Sequence, residues 1–171
     1  MALPFLPPPP IDGSDILEPV LAGRSGASSV MIGRAGALAR LIDLVDAAEI
    51  VDGDQPAVAL IAGEAGIGKT RLVRELLAAL GPGVPTFIVA GEPGSIGRAH
   101  GALGDFSTGD DPTGCLLRAI EEGVAKATAV LVVEDVHWLD AGSAAAVDAI
   151  ARQPWPTLVL GTLWAALFTW I

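Results

Sequence analysis

Residues 63–70 read Gly-Glu-Ala-Gly-Ile-Gly-Lys-Thr, which spaces glycine, lysine and threonine as G-x-x-x-x-G-K-T. The chemistry such a string can do is phosphate capture. Glycine takes positive φ freely and lets backbone N–H groups approach an anion with no Cβ in the way. Amides gathered at a helix start form a nest on its positive dipole end. A lysine after the last glycine sets a compact charge between β and γ phosphates, and the hydroxyl after it offers a ligand to Mg²⁺. The candidate nucleotide contacts are Gly63, Glu64, Ala65, Gly66, Ile67, Gly68, Lys69, Thr70 and Arg71.

A second cluster follows the apolar run Val130–Val133, where the chain continues Glu134-Asp135. Acids ending a buried strand lie at the carboxyl edge of a sheet, where open α/β folds bind ligands. One carboxylate of this pair can hold Mg²⁺ together with Thr70, and the other can orient an attacking water. Lys69, Glu134 and Asp135 are thus the candidate catalytic residues, and Thr70, Glu134 and Asp135 the candidate metal ligands. Which acid takes which role stays open at this point. The chain has no asparagine, so it carries neither an Asn-Lys-x-Asp base reader nor a kinase catalytic-loop asparagine.

These residues need elements to hold them. Leu38, Leu41, Ile42 and Val45 repeat at helical spacing and predict a helix over 35–48. Residues 52–54 form a turn, and Ala57–Ala62 suits a buried parallel strand. A helix follows over 68–80, with its apolar stripe at Leu72, Val73, Leu76, Leu77 and Leu80, and Gly81-Pro82 stops it. Thr86–Ala90 reads as a strand and residues 91–109 as a long glycine-rich loop. Asp111-Pro112 starts a helix running to about Lys126 that buries Leu117, Ile120 and Val124. Val130–Val133 is the third strand, Asp140 caps a helix that Pro154 ends, and Leu158–Leu160 is the fourth strand. This alternation predicts an α/β fold with a parallel sheet between helical layers, a three-layer P-loop NTPase sandwich.

Composition bounds the rest. The 171 residues make one ordinary domain, and 51% are hydrophobic, which excludes a disordered chain. A net charge of −10 with no basic stripe excludes direct nucleic-acid binding by this chain. Residues 1–30, with Pro7–Pro10, read as a flexible proline-rich tail, and they lack the basic start of a signal peptide. The apolar run 157–171 is shorter than a membrane span. Cys115 has no second cysteine to pair with, which suits a reducing cytoplasm.

Four strings together resemble a known family: Met31-Ile-Gly-Arg34, the 63–72 segment, Val132-Val-Glu-Asp-Val-His-Trp-Leu-Asp140, and Val159-Leu-Gly-Thr162. Residues 31–162 are similar to the STAND class of signalling ATPases, which are AAA+-like, and most of all to the ATPase module of large LuxR-type transcriptional regulators and to related modules on bacterial adenylate cyclases. The resemblance implies a switch driven by Mg-ATP, with Gly33 and Arg34 near the adenine and ribose. It also implies that the Leu158 strand lies between the phosphate-loop strand and the acidic strand. His137 and Trp138 would either sense the γ phosphate or pack beneath the next helix. After Thr162 the family continues with an aromatic residue and a phosphate-sensing arginine, whereas Trp164 stands where the arginine is expected and 163–171 is an atypical apolar tail. The expectation is a fold incomplete at its C-terminal end, binding ATP with weak or no hydrolysis. The alternative is a regulatory or inert fragment acting through protein partners or self-association.

Overall fold

The computed structural model describes residues 33–50, 56–94, 96–106 and 111–164. The proline-rich tail, Met31-Ile32, the 52–54 turn and residues 165–171 lie outside the described residues.

Strands β1 (Ala57–Gly63), β2 (Thr86–Ala90), β3 (Ala129–Glu134) and β4 (Thr157–Trp164) form one parallel sheet in the order β1-β4-β3-β2. The Leu158 strand therefore lies between the phosphate-loop strand and the acidic strand. Helices α1 (Ala35–Ile50) and α2 (Lys69–Leu80) cover one face; α3 (Pro112–Val124), α4 (Ala141–Ile150) and a 3-10 turn at Gly101–Phe106 cover the other.

The central strands are apolar on both faces because both are covered. Val130 and Val132 of β3 and Leu158 and Leu160 of β4 join Leu41, Val45, Leu72, Val73 and Leu76 in the core beneath α1 and α2. Leu131, Val133 and Val159 point the other way, into a core with Leu103, Leu116, Ile120, Ala146 and Ile150. Each fully buried large side chain contributes roughly 1.5–3 kcal/mol of transfer free energy. The caps match the sequence: the Asp111 carboxylate accepts from Gly114 N at 2.8 Å, and that of Asp140 from Ser143 N at 3.0 Å. No helix among the described residues is long and apolar enough to cross a membrane.

Four expectations are corrected. The β1 strand is an edge, with β4 its only partner among the described residues; Ala57, Ala59 and Ile61 pack inward while Val58 and Leu60 are 63% and 58% exposed. Its apolar run reflects one covered face and one bare one. Helix α3 ends at Val124 and buries Leu116, Ile120 and Gly123, with Leu117 and Val124 on the flank. The glycine-rich loop contains the 3-10 turn, which inserts Leu103 fully into the core. Finally, β4 continues through Gly161 to Trp164, burying Leu163 and leaving Trp164 40% exposed.

Candidate functional site

The phosphate loop joins the end of β1 to the start of α2. Gly66 and Gly68 take left-handed φ values of 78° and 93°, which an L side chain adopts only with strain. Beyond the adjoining residues, no atom of the described residues lies within 4 Å of where a Cβ would stand on either glycine, so this side of the loop is open. Lys69 folds back along the loop and donates from Nζ to the carbonyls of Gly63 and Glu64 at 2.9 and 3.0 Å. Those bonds hold the ammonium beside the loop, and Thr70 follows in the first turn of α2. Arg71, one residue further, faces Glu75 at 3.6 Å across one helical turn.

Arg34 reaches the same loop from the N-terminus. Gly33 turns left-handed with φ of 80°, and the Arg34 carbonyl accepts the Leu38 N–H at 3.0 Å as α1 begins. The guanidinium then donates to the Ile67 carbonyl. Gly33 and Arg34 thus stand beside the phosphate loop.

The acidic strand end lies across β4 from the loop. Strands β1 and β3 are two inter-strand spacings apart, about 10 Å. Side-chain alternation along β3 puts Glu134 on the face of Val130 and Val132, which is the face that α2 covers. Asp135 leaves the strand in a left-handed conformation, φ 49° and ψ 53°. That is uncommon for a non-glycine residue, though aspartate tolerates it. Two contacts hold it there. The Asp135 N–H donates to Oγ1 of buried Thr162 at 3.0 Å, and the Asp135 carbonyl accepts from Trp138 N at 2.8 Å.

Gly91, just past β2, presses on the same turn. Its N–H donates to the Glu134 carbonyl at 2.9 Å, and a Cβ placed on it would lie 2.5 Å from the Asp135 carbonyl oxygen. His137 and Trp138 form a 3-10 turn after Asp135, with ring centroids 5.2 Å apart. His137 Nδ1 is buried without a hydrogen-bond partner among the described residues.

Asp140 fastens the segment that follows. It is 2% exposed and accepts from the Ser143 hydroxyl at 2.6 Å, Ser143 N at 3.0 Å and His100 N at 2.8 Å, with Ala102 N at 3.4 Å. Burial pushes its carboxyl up, but these donors together outweigh burial and hold it well below the usual carboxylate range. His100, itself at φ of 57°, lies over the start of α4, where a Cβ on Gly142 would meet its ring at 2.9 Å. Loop and acidic turn are therefore one fastened unit.

The structure brings the sequence's site residues to one edge of the sheet: Gly63–Arg71 on one side of β4, and Glu134 and Asp135 on the other. Three contributors were not in the sequence-derived site. Thr162 carried one signal, a hydroxyl ending an apolar strand. Gly91 and Asp140 offered none beyond a glycine after a strand and a helix cap.

Solved structures share this fold. Cdc6p from Pyrobaculum aerophilum aligns with TM-score 0.56 at 17% identity, covering 86% of this chain and 43% of that one. The ORC2 protein of Aeropyrum pernix, solved as ADPNP–ADP complexes, aligns with TM-score 0.57 at 12% identity, covering 84% and 44%. The FIGL-1 AAA domain aligns with TM-score 0.50 at 16% identity, covering 80% and 47%. The chain thus spans less than half the length of these structures, and at such identities the likeness is one of fold. No curated protein sequence matches the chain. Residues 30–160 match the family described as AAA ATPase domain, and with the phosphate loop and the acidic strand flanking β4, the chain belongs to that family.

Proposed function

We propose that this chain binds Mg-ATP at residues 63–71 and acts as the nucleotide-dependent part of a STAND-type signalling ATPase, of the kind carried by large LuxR-type transcriptional regulators. The observation that supports the binding reading best is the pairing of an open glycine loop with Glu134 across one strand, on the sheet face that α2 covers. The ORC2 relative was solved with adenine nucleotide, and adenine nucleotide is the ligand proposed here.

The Gly66 and Gly68 backbone receives the phosphates. Lys69 exchanges its two carbonyl partners for phosphate oxygens, a stronger charge-assisted contact. Thr70 and Glu134 are the residues that would hold Mg²⁺, Glu134 because it shares the α2 face. The bound ion would supply neutralisation of charge between the β and γ phosphates. Asp135, set just beyond the strand by Thr162, orients the water. Turnover is slow: Trp164, in register beside Gly63, brings no charge to the γ-phosphate side.

Calorimetric titration of Mg-ATP into the parent chain and a Lys69→Ala chain tests the reading. Saturable binding by the parent and a loss of about 10–100-fold in the variant are expected for a charge-assisted pair of this kind. Equal affinities in the two chains would refute it.

A further inference from the structure

The contact between Arg34 and the Ile67 carbonyl joins residues 33 apart in sequence. Ile67 stands between two left-handed glycines, Gly66 and Gly68. Glycine on either side leaves the intervening peptide units the freest in the loop to rotate. Ile67 adds little restraint of its own: it is 49% exposed, and its N–H reaches the Glu64 carbonyl only at 3.4 Å. In a planar trans peptide the carbonyl of one residue and the N–H of the next point in opposite directions. A donor gripping the Ile67 carbonyl from outside the loop therefore turns the Gly68 N–H the other way, away from Arg34.

We propose that Arg34 is a positioning residue: it sets the Gly68 amide toward the phosphates by holding the peptide's opposite end, and it acts through the loop rather than on the nucleoside. The proposal rests on the phosphate-binding reading above and deepens it. Its anchorage is built into the chain, because the left-handed turn at Gly33 and the start of α1 fix where the Arg34 side chain begins. A guanidinium suits the task, since its several N–H groups form a rigid fork that keeps its direction.

The test has two readouts. In the nucleotide-free chain, ¹⁵N relaxation of the Gly68 amide should report a rigid backbone, with an order parameter of about 0.85, falling below about 0.6 in Arg34→Ala. Titrations with ATP, ADP and inorganic pyrophosphate should each weaken by the same factor, about five- to tenfold. Arg34→Lys, whose ammonium ends one bond short of the guanidinium nitrogen that makes the contact, should restore part of both. An unchanged Gly68 order parameter in Arg34→Ala would overturn the proposal. So would a loss confined to ATP and ADP with pyrophosphate unaffected, because that pattern puts Arg34 against the nucleoside. Should the parent take up no phosphate ligand, the binding reading fails, while the relaxation experiment still decides whether Arg34 braces the loop.

Discussion

Replacing Gly91 by alanine adds one methyl group where the structure has no room for it. The new Cβ would sit 2.5 Å from the Asp135 carbonyl oxygen and 3.1 Å from both Leu139 N and the Trp138 carbonyl carbon. All three neighbours are backbone atoms, so no side-chain rotation relieves the clash. Ordinary contact requires a retreat of about 1 Å, and overpacking of this kind costs roughly 1–3 kcal/mol. The retreat also stretches the 2.9 Å bond from Gly91 N to the Glu134 carbonyl, which adds about 1 kcal/mol. The total of about 2–4 kcal/mol lowers the melting temperature by roughly 4–16 °C for a domain of this size. Gly94→Ala is the matched control. It lies in the same segment with, beyond its chain neighbours, no described residue within 4 Å of the added Cβ and no positive φ, so it should be neutral or stabilising by up to about 1 kcal/mol. Circular dichroism melts of parent, Gly91→Ala and Gly94→Ala measure both. A Gly91→Ala chain melting within about 2 °C of the parent would refute the packing argument, as would a comparable loss in Gly94→Ala.

Two further predictions concern the fastened turn. Asp140→Asn should cost about 2–3 kcal/mol at pH 7, because the amide keeps one of the two acceptor oxygens that the four donors share. Its folded carboxyl titrates below the unfolded value of 3.8, so the stability it contributes is present above that value and is lost as pH falls through the folded one. Urea unfolding at pH 7 and pH 3 should show the gap between parent and variant narrowing in acid. Thr162→Val keeps the shape but leaves the Asp135 N–H without its acceptor, a loss of about 1–3 kcal/mol that Thr162→Ser largely avoids. The urea midpoints of the two variants check this.

The phosphate loop and the layer pattern were legible in the sequence because each rests on local rules. Glycine spacing, apolar strands and the caps at Asp111 and Asp140 need only near neighbours to be read. Sheet position does not work that way. Ala57–Gly63 reads like β3, yet among the described residues it is an edge, because its place depends on which distant strand pairs with it. The α3 face is ambiguous in the sequence because Leu116 and Leu117 are both apolar, so the periodicity alone does not fix its phase. Gly161 resembles a strand breaker, but it lies inside β4, where a Cβ would meet Leu60 at 2.9 Å and Val136 at 3.1 Å. The contacts from Arg34 to Ile67 and from His100 to Asp140 join segments far apart in the chain. They become visible only once the sheet order is known.

The pairing of β1 with β4 also sets a timetable for synthesis. The first ladder pair joins Ala57 to Leu158, so β1 is made about a hundred residues before the strand that receives it. At about 5–20 residues per second, β1 leaves the ribosome roughly 5–20 s ahead of its partner. Through that interval an uncharged strand, Ala-Val-Ala-Leu-Ile-Ala-Gly, has, among the described residues, α1 and α2 to shelter one of its faces. Such a segment is what chaperones hold and aggregates recruit. The phosphate loop, attached to the end of this strand, is among the first parts of the site to be synthesised and among the last to be seated.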